Sequence, residues 1–141
     1  MIQIALGDQQ LKRLAKRVRL AAELTSRERG RFAKELAKGI KAIAEKRVRT
    51  TKKDPDGQPW RPWSNSYART RGAQHSLLID KRKLVRRFNA YASPAGRFLK
   101  VWNSAPYAGY VQAKRPFLGI GRLEDELVHR LAERFFRQVL R

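Results

Sequence analysis

The side chains able to do chemistry in this chain are few, and their spacing works against most reactions. Nucleophilic catalysis needs an activatable nucleophile beside a base. The two histidines, His75 in a polar stretch and His129 in an amphipathic one, have no such neighbour and read as surface residues. Asp54-Pro55-Asp56-Gly57 opens like a calcium loop, but its twelfth position is Asn65 where a bidentate glutamate is needed. Glu124, Asp125 and Glu126 are adjacent, so a helix would fan their carboxylates apart. They make a poor metal set and a good helix start, where the dipole favours anions. Gly119-Ile120-Gly121 lacks the third glycine and the strand–helix context of a dinucleotide fold. Cysteine is absent, which removes disulfides and thiolate metal sites. The sequence thus points to no catalytic residue, no metal set and no cofactor.

What remains is charge. Thirty-three Lys and Arg stand against twelve Asp and Glu, a formal net charge of +21 in 141 residues. Self-repulsion on that scale favours association with something anionic. Arg61, Trp63, Tyr67, Arg69 and Arg71 mix cations with aromatics, a composition that contacts phosphates and stacks on bases. With Arg86 and Arg87 they are the candidate DNA-facing residues. No zinc finger, helix-turn-helix signature or RNA-recognition aromatic pair is readable, so any such contact follows the backbone rather than the bases. The tryptophans serve a core as readily as a stacking platform.

The elements that would position these residues form an α+β arrangement: an N-terminal helix pair, a small antiparallel β-sheet and a C-terminal helix. Residues 1–141 are expected as one domain, with a basic helical hairpin over 9–50, a loop and antiparallel sheet over 51–121, and the last helix over 122–141. Leu11, Leu14 and Val18 recur at helical spacing among Lys12, Arg13 and Arg17. After Thr25-Ser26 the next helix carries Phe32, Leu36, Ile40 and Val48 and ends in Lys46, Arg47 and Arg49, the end that favours positive charge. Asp54 to Gly57 has tight-turn chemistry, and Trp60 is expected to pin the loop by aromatic burial. Residues 86–103 read as a hairpin turning at Ser93-Pro94-Ala95-Gly96. Pro106 to Val111 reads as a connector. Pro116 marks the segment after it as an edge or irregular stretch, where Phe117 and Leu118 are either exposed as a contact patch or ordinary core. From Arg122 a helix carries Leu123, Leu127, Val128, Leu131, Phe135 and Val139 on one face. The N-terminus is too short and too uncharged for a signal peptide, and no apolar run is long enough to span a bilayer.

Two stretches in order carry a family resemblance. Asp54-Pro55-Asp56-Gly57-Gln58-Pro59-Trp60-Arg61-Pro62 follows a basic helix, and Arg115-Pro116-Phe117-Leu118-Gly119-Ile120 precedes the acidic-start helix, with Leu77 to Leu84 and Tyr107-Ala108 between them. Over residues 27–140 the chain resembles the phage virion morphogenesis family, which includes the tail completion proteins of Mu-type and related myophages. It departs at Lys81-Arg82, where the family usually has Thr-Gly. It departs again at Gly109 to Lys114, a contracted form of a longer loop in which Gln112 is the residue that persists.

The resemblance implies a virion protein assembled in the host bacterial cytoplasm, without catalysis or cofactor. It implies a homo-oligomeric ring, expected as a hexamer, that completes the tail and allows stable head joining. The partners would be neck, tail-tube or connector proteins and passing genomic DNA, with no membrane. The interface candidates are Phe117, Leu118, Glu124, Asp125 and Glu126, the acids meeting Lys12, Arg13 or Arg17 of a neighbour. A rival reading is a non-sequence-specific nucleic-acid-binding accessory protein.

Overall fold

The computed structural model describes residues 2–7, 26–71 and 83–139. The predicted first basic helix with Lys12, Arg13 and Arg17, and with it the helix pair, lies outside the described residues, as do His75 and residues 77–82.

Ile2–Leu6 forms strand β1, Phe88–Ala92 β2 and Leu99–Asn103 β3, in one antiparallel sheet of order β1-β3-β2. Leu6 and Ala92 both pair in register with Leu99, and Ile2 and Phe88 with Asn103, so β3 is central. The hairpin forms where its turn residues stand. Ser93 Oγ accepts the N–H groups of Arg97 at 2.8 Å and Phe98 at 3.2 Å, and Gly96 takes a left-handed φ of +67°. β1 was not expected. It is five residues long and pairs with a strand almost a hundred residues away, so no local turn announces it.

Helix α1 spans Ser26–Lys46 and continues through a π-helical turn, Arg47–Thr51. Asn65–Arg71 forms a short helix α2, Ala108–Lys114 forms α3, and Arg122–Val139 forms α4. The stretch read as a connector is therefore helical from Ala108 to Val111, within α3. α1 is amphipathic, and its apolar stripe faces two partners. Gly30 lies so close to the Pro94 carbonyl of the hairpin turn that no Cβ fits between them. Gly39 makes way for the Leu127 side chain, and Phe32 meets Phe135 edge-on at 5.6 Å. These contacts run α1 and α4 antiparallel, with α1 also on the sheet. Between them lies the core of Leu36, Ile40, Leu99, Val101, Phe117 and Val128. Asn103, fully buried on β3, satisfies its amide by donating to Leu84 O at 2.7 Å and accepting from Ala105 N at 2.9 Å. Leu123, expected on the buried face of α4, is exposed. Among the described residues no helix is long and apolar enough to cross a membrane.

Candidate functional site

The two motifs that stood sixty residues apart in the sequence lock together in the fold. In the first, Asp54 begins a turn closed by Gly57 N–H to Asp54 O at 3.0 Å and Asp54 N–H to Gln58 O at 2.8 Å. The Asp54 carboxylate accepts the Gln58 N–H at 2.8 Å, and Gly57 holds φ +85°, a region costly for any side chain. Trp60 follows, buried as expected, and its indole Nε1 donates to the Pro116 carbonyl at 2.9 Å. The loop is thus pinned onto the second motif by a donor and a ring at once.

The second motif is organised by Gln112 on α3. Its Oε1 accepts the N–H groups of Phe117 at 3.0 Å and Leu118 at 3.1 Å, and its Nε2 donates to Leu118 O at 2.7 Å. One side chain therefore replaces the ladder that Pro116 denies this segment. The Arg115 guanidinium reaches back to the Arg61 carbonyl, 3.1 Å from Nη2. Gly119 and Gly121 lie directly against Pro55, and a Cβ on either would overlap it, at Gly121 on the backbone carbonyl itself. Both glycines are needed for this close approach.

An ion pair sits behind the joint. Arg47, from the π-helical turn, is 2% exposed, and Glu124, in the first turn of α4, is 1% exposed. Their side chains form a two-pronged pair: Arg47 Nη1 meets Glu124 Oε1, and Nη2 donates to Oε2 at 2.8 Å. Arg47 also donates to Phe117 O at 3.4 Å. Glu124 Oε2 accepts the Gly121 N–H at 3.0 Å, the carboxylate half of a capping box. Lys52 closes the π turn at φ +52°, donates its ammonium to Val48 O and takes the Trp60 N–H on its own carbonyl at 2.8 Å. Burial pushes its pKa down to about 8.

This arrangement corrects two sequence expectations. Phe117 and Leu118 are core, not an exposed sheet edge, because Trp60, Gln112 and Arg47 hold their backbone against the body. Phe117 packs edge-on to Phe88 at 5.5 Å. Glu124 is buried in an internal pair, so it offers no carboxylate to a neighbour's Lys12, Arg13 or Arg17. Arg47 stands at the end of the helix, as its place in the sequence suggests, and is buried there. Asp125 stays half-buried and Glu126 exposed, the latter 3.5 Å from Arg122. Arg47 and Gln112 were missed as organising residues. For Gln112 the sole signal was its persistence in the contracted family segment.

The candidate DNA-facing residues occupy two separate segments. Arg61 and Arg69 are exposed around α2, where Trp63 and Tyr67 pack edge-to-face at 5.5 Å, and Arg71 ends that helix. Arg86 and Arg87 are exposed on a 3-10 turn at the foot of β2. His129 is exposed on α4. Among the described residues no three His, Cys, Asp or Glu side chains gather where a metal could bind. Comparison with protein families matches residues 6–108 to the model of the phage virion morphogenesis family. That match begins before the span seen in the sequence and stops short of the Arg115–Ile120 motif. Neither the curated proteins nor the solved structures contain a match.

Proposed function

The chain belongs to the phage virion morphogenesis family, and from that premise we propose that it is a tail-completion or terminator-type ring subunit at the head–tail junction, acting by assembly without catalysis. Membership itself gives a structural role in building the virion. The observation that supports the finer reading is how the chain uses its motif residues. Asp54, Trp60 and Arg115 of the motifs, with Gln112 and Glu124 beside them, all bond within the fold, so the motifs make a rigid joint rather than a reaction centre. A subunit that must repeat one contact around an axis needs such rigidity. Charge fits the same role: each copy brings +21 to the ring, which calls for anionic faces on adjoining rings or DNA in the lumen.

The ring contact leaves out Phe117, Leu118 and Glu124, which the joint consumes, and Glu126 is the acid of that group left exposed. The test is deletion of the gene from its phage. Filled heads and separate tails should accumulate, and complementation should restore joined particles. Normal infectious particles from the deletion would overturn the assembly role.

A further inference from the structure

The outward face of α1 carries a row of cations. Arg27, Arg31, Lys34, Lys38 and Lys41 follow one another at steps of four, three, four and three residues, which keeps them on one side of the helix. Arg27, Arg31, Lys34 and Lys38 are exposed and Lys41 is half-exposed. From Arg27 to Lys41 the row is about 21 Å long, a span over which duplex DNA carries roughly a dozen phosphate charges.

A second row joins it across the seam with α4. Arg130, Arg134 and Arg137, again one helix face, line a shallow hollow with Glu133 and Gln138. Arg31 and Arg134 each stand 5.8 Å from the centre of the Phe135 ring, which ties the two rows together. Two acids on this surface are already engaged within it, Glu35 with Arg134 and Glu45 with Lys41 at 3.8 Å. Glu133 is the acid that lines the hollow. Cations therefore outnumber acids along the whole ridge.

We propose that this two-helix ridge binds the phosphate backbone of duplex DNA without reading its sequence. An acidic protein is the obvious rival, and the side chains between the cations decide against it. Protein interfaces centre on buried aromatic or aliphatic anchors and are poor in lysine. The α1 row has lysines and no exposed large apolar side chain. Among the described residues those are Tyr67, Tyr91, Phe98, Tyr107, Tyr110, Ile120 and Leu123, and α1 holds none of them. A polyanion needs no anchor, because its affinity comes from counterion release. This surface differs from the Arg61–Arg71 and Arg86–Arg87 segments singled out by sequence, and it stands apart from the ring reading.

The test is fluorescence anisotropy of a mixed-sequence 30-bp duplex with the purified full chain across a salt series. The wild type should bind with an affinity falling steeply with salt. The Lys34→Gln/Lys38→Gln double variant should bind more weakly, with a logarithmic salt slope shallower by about 1.8, two lost phosphate contacts. Both lysines are exposed, so its melting temperature should not move. The Arg86→Gln/Arg87→Gln variant should bind as wild type. Absence of wild-type binding, an unchanged slope in the Lys34/Lys38 variant, or stronger binding to polyglutamate than to DNA would each overturn the proposal.

Discussion

Two Arg–Glu pairs join the same two helices, and they differ in almost every physical respect. Arg47–Glu124 lies at the inner end of the α1–α4 contact with side chains 3% and 1% exposed, and its oxygens and nitrogens take further bonds from Gly121 and to Phe117. Arg134–Glu35 lies at the outer end with side chains 51% and 41% exposed. Charges taken out of water are tolerated when geometry and additional hydrogen bonds compensate, and deleting one then strands the other. Charges left in water interact weakly whatever their spacing. The inner pair is thus part of the architecture, and the outer pair belongs to a surface whose balance of charge can change at little structural cost.

The largest effect should come from breaking the inner pair. Glu124→Ala leaves the Arg47 guanidinium buried without its counter-charge and frees the Gly121 N–H, a loss of about 3–5 kcal/mol. Denaturant titration measures it. The loss should persist in high salt, because a buried pair is poorly screened. If the variant is destabilised by less than about 1 kcal/mol, the pair is reached by water and the contrast with Arg134–Glu35 collapses.

A smaller effect should follow from prising the motifs apart without touching a charge. Gly121→Ala places a methyl on the Pro55 carbonyl, so one backbone must move. Overpacking of that kind costs about 1–3 kcal/mol. Gly109→Ala is the control, since nothing lies within 4 Å of a Cβ there. Equal melting temperatures for the two variants would mean that the Pro55 contact does not hold the joint.

The same contrast separates what the sequence discloses from what it hides. Local signals were legible. Phe32, Leu36 and Ile40 repeat at helical spacing, Ser93 to Gly96 carries its own turn chemistry, and Gly57 and Trp60 declare a turn and an anchor. Each of these is decided within a few residues. Phe117 and Leu118 were not legible, because a segment interrupted by Pro116 and Gly119 has no period to reveal a buried face. Its burial comes from Trp60, 56 positions before the Pro116 carbonyl that it binds. Arg47 was hidden for the same reason. In the sequence it stands with Lys46 and Arg49 as one more helix-end cation, and its partner lies 77 residues on. The resemblance placed both motifs in order, but that they touch is a tertiary fact.

The smallest effect should come from the outer pair, and it sharpens the comparison by its sign. Glu35→Gln removes a half-exposed carboxylate from Arg134, a loss of about 0.2–1 kcal/mol that should vanish as salt screens surface charges. The helix seam should hold regardless, since Phe32 against Phe135 and Gly39 against Leu127 carry it by apolar contact. A loss above about 2 kcal/mol would show that the seam depends on the charge after all. On the ridge the same substitution acts the other way. It frees the Arg134 guanidinium and removes a negative charge beside Arg31, so duplex DNA should bind more tightly than to wild type in the anisotropy assay. One change that slightly loosens the fold while strengthening an anion's grip is what a surface pair permits and a buried one forbids.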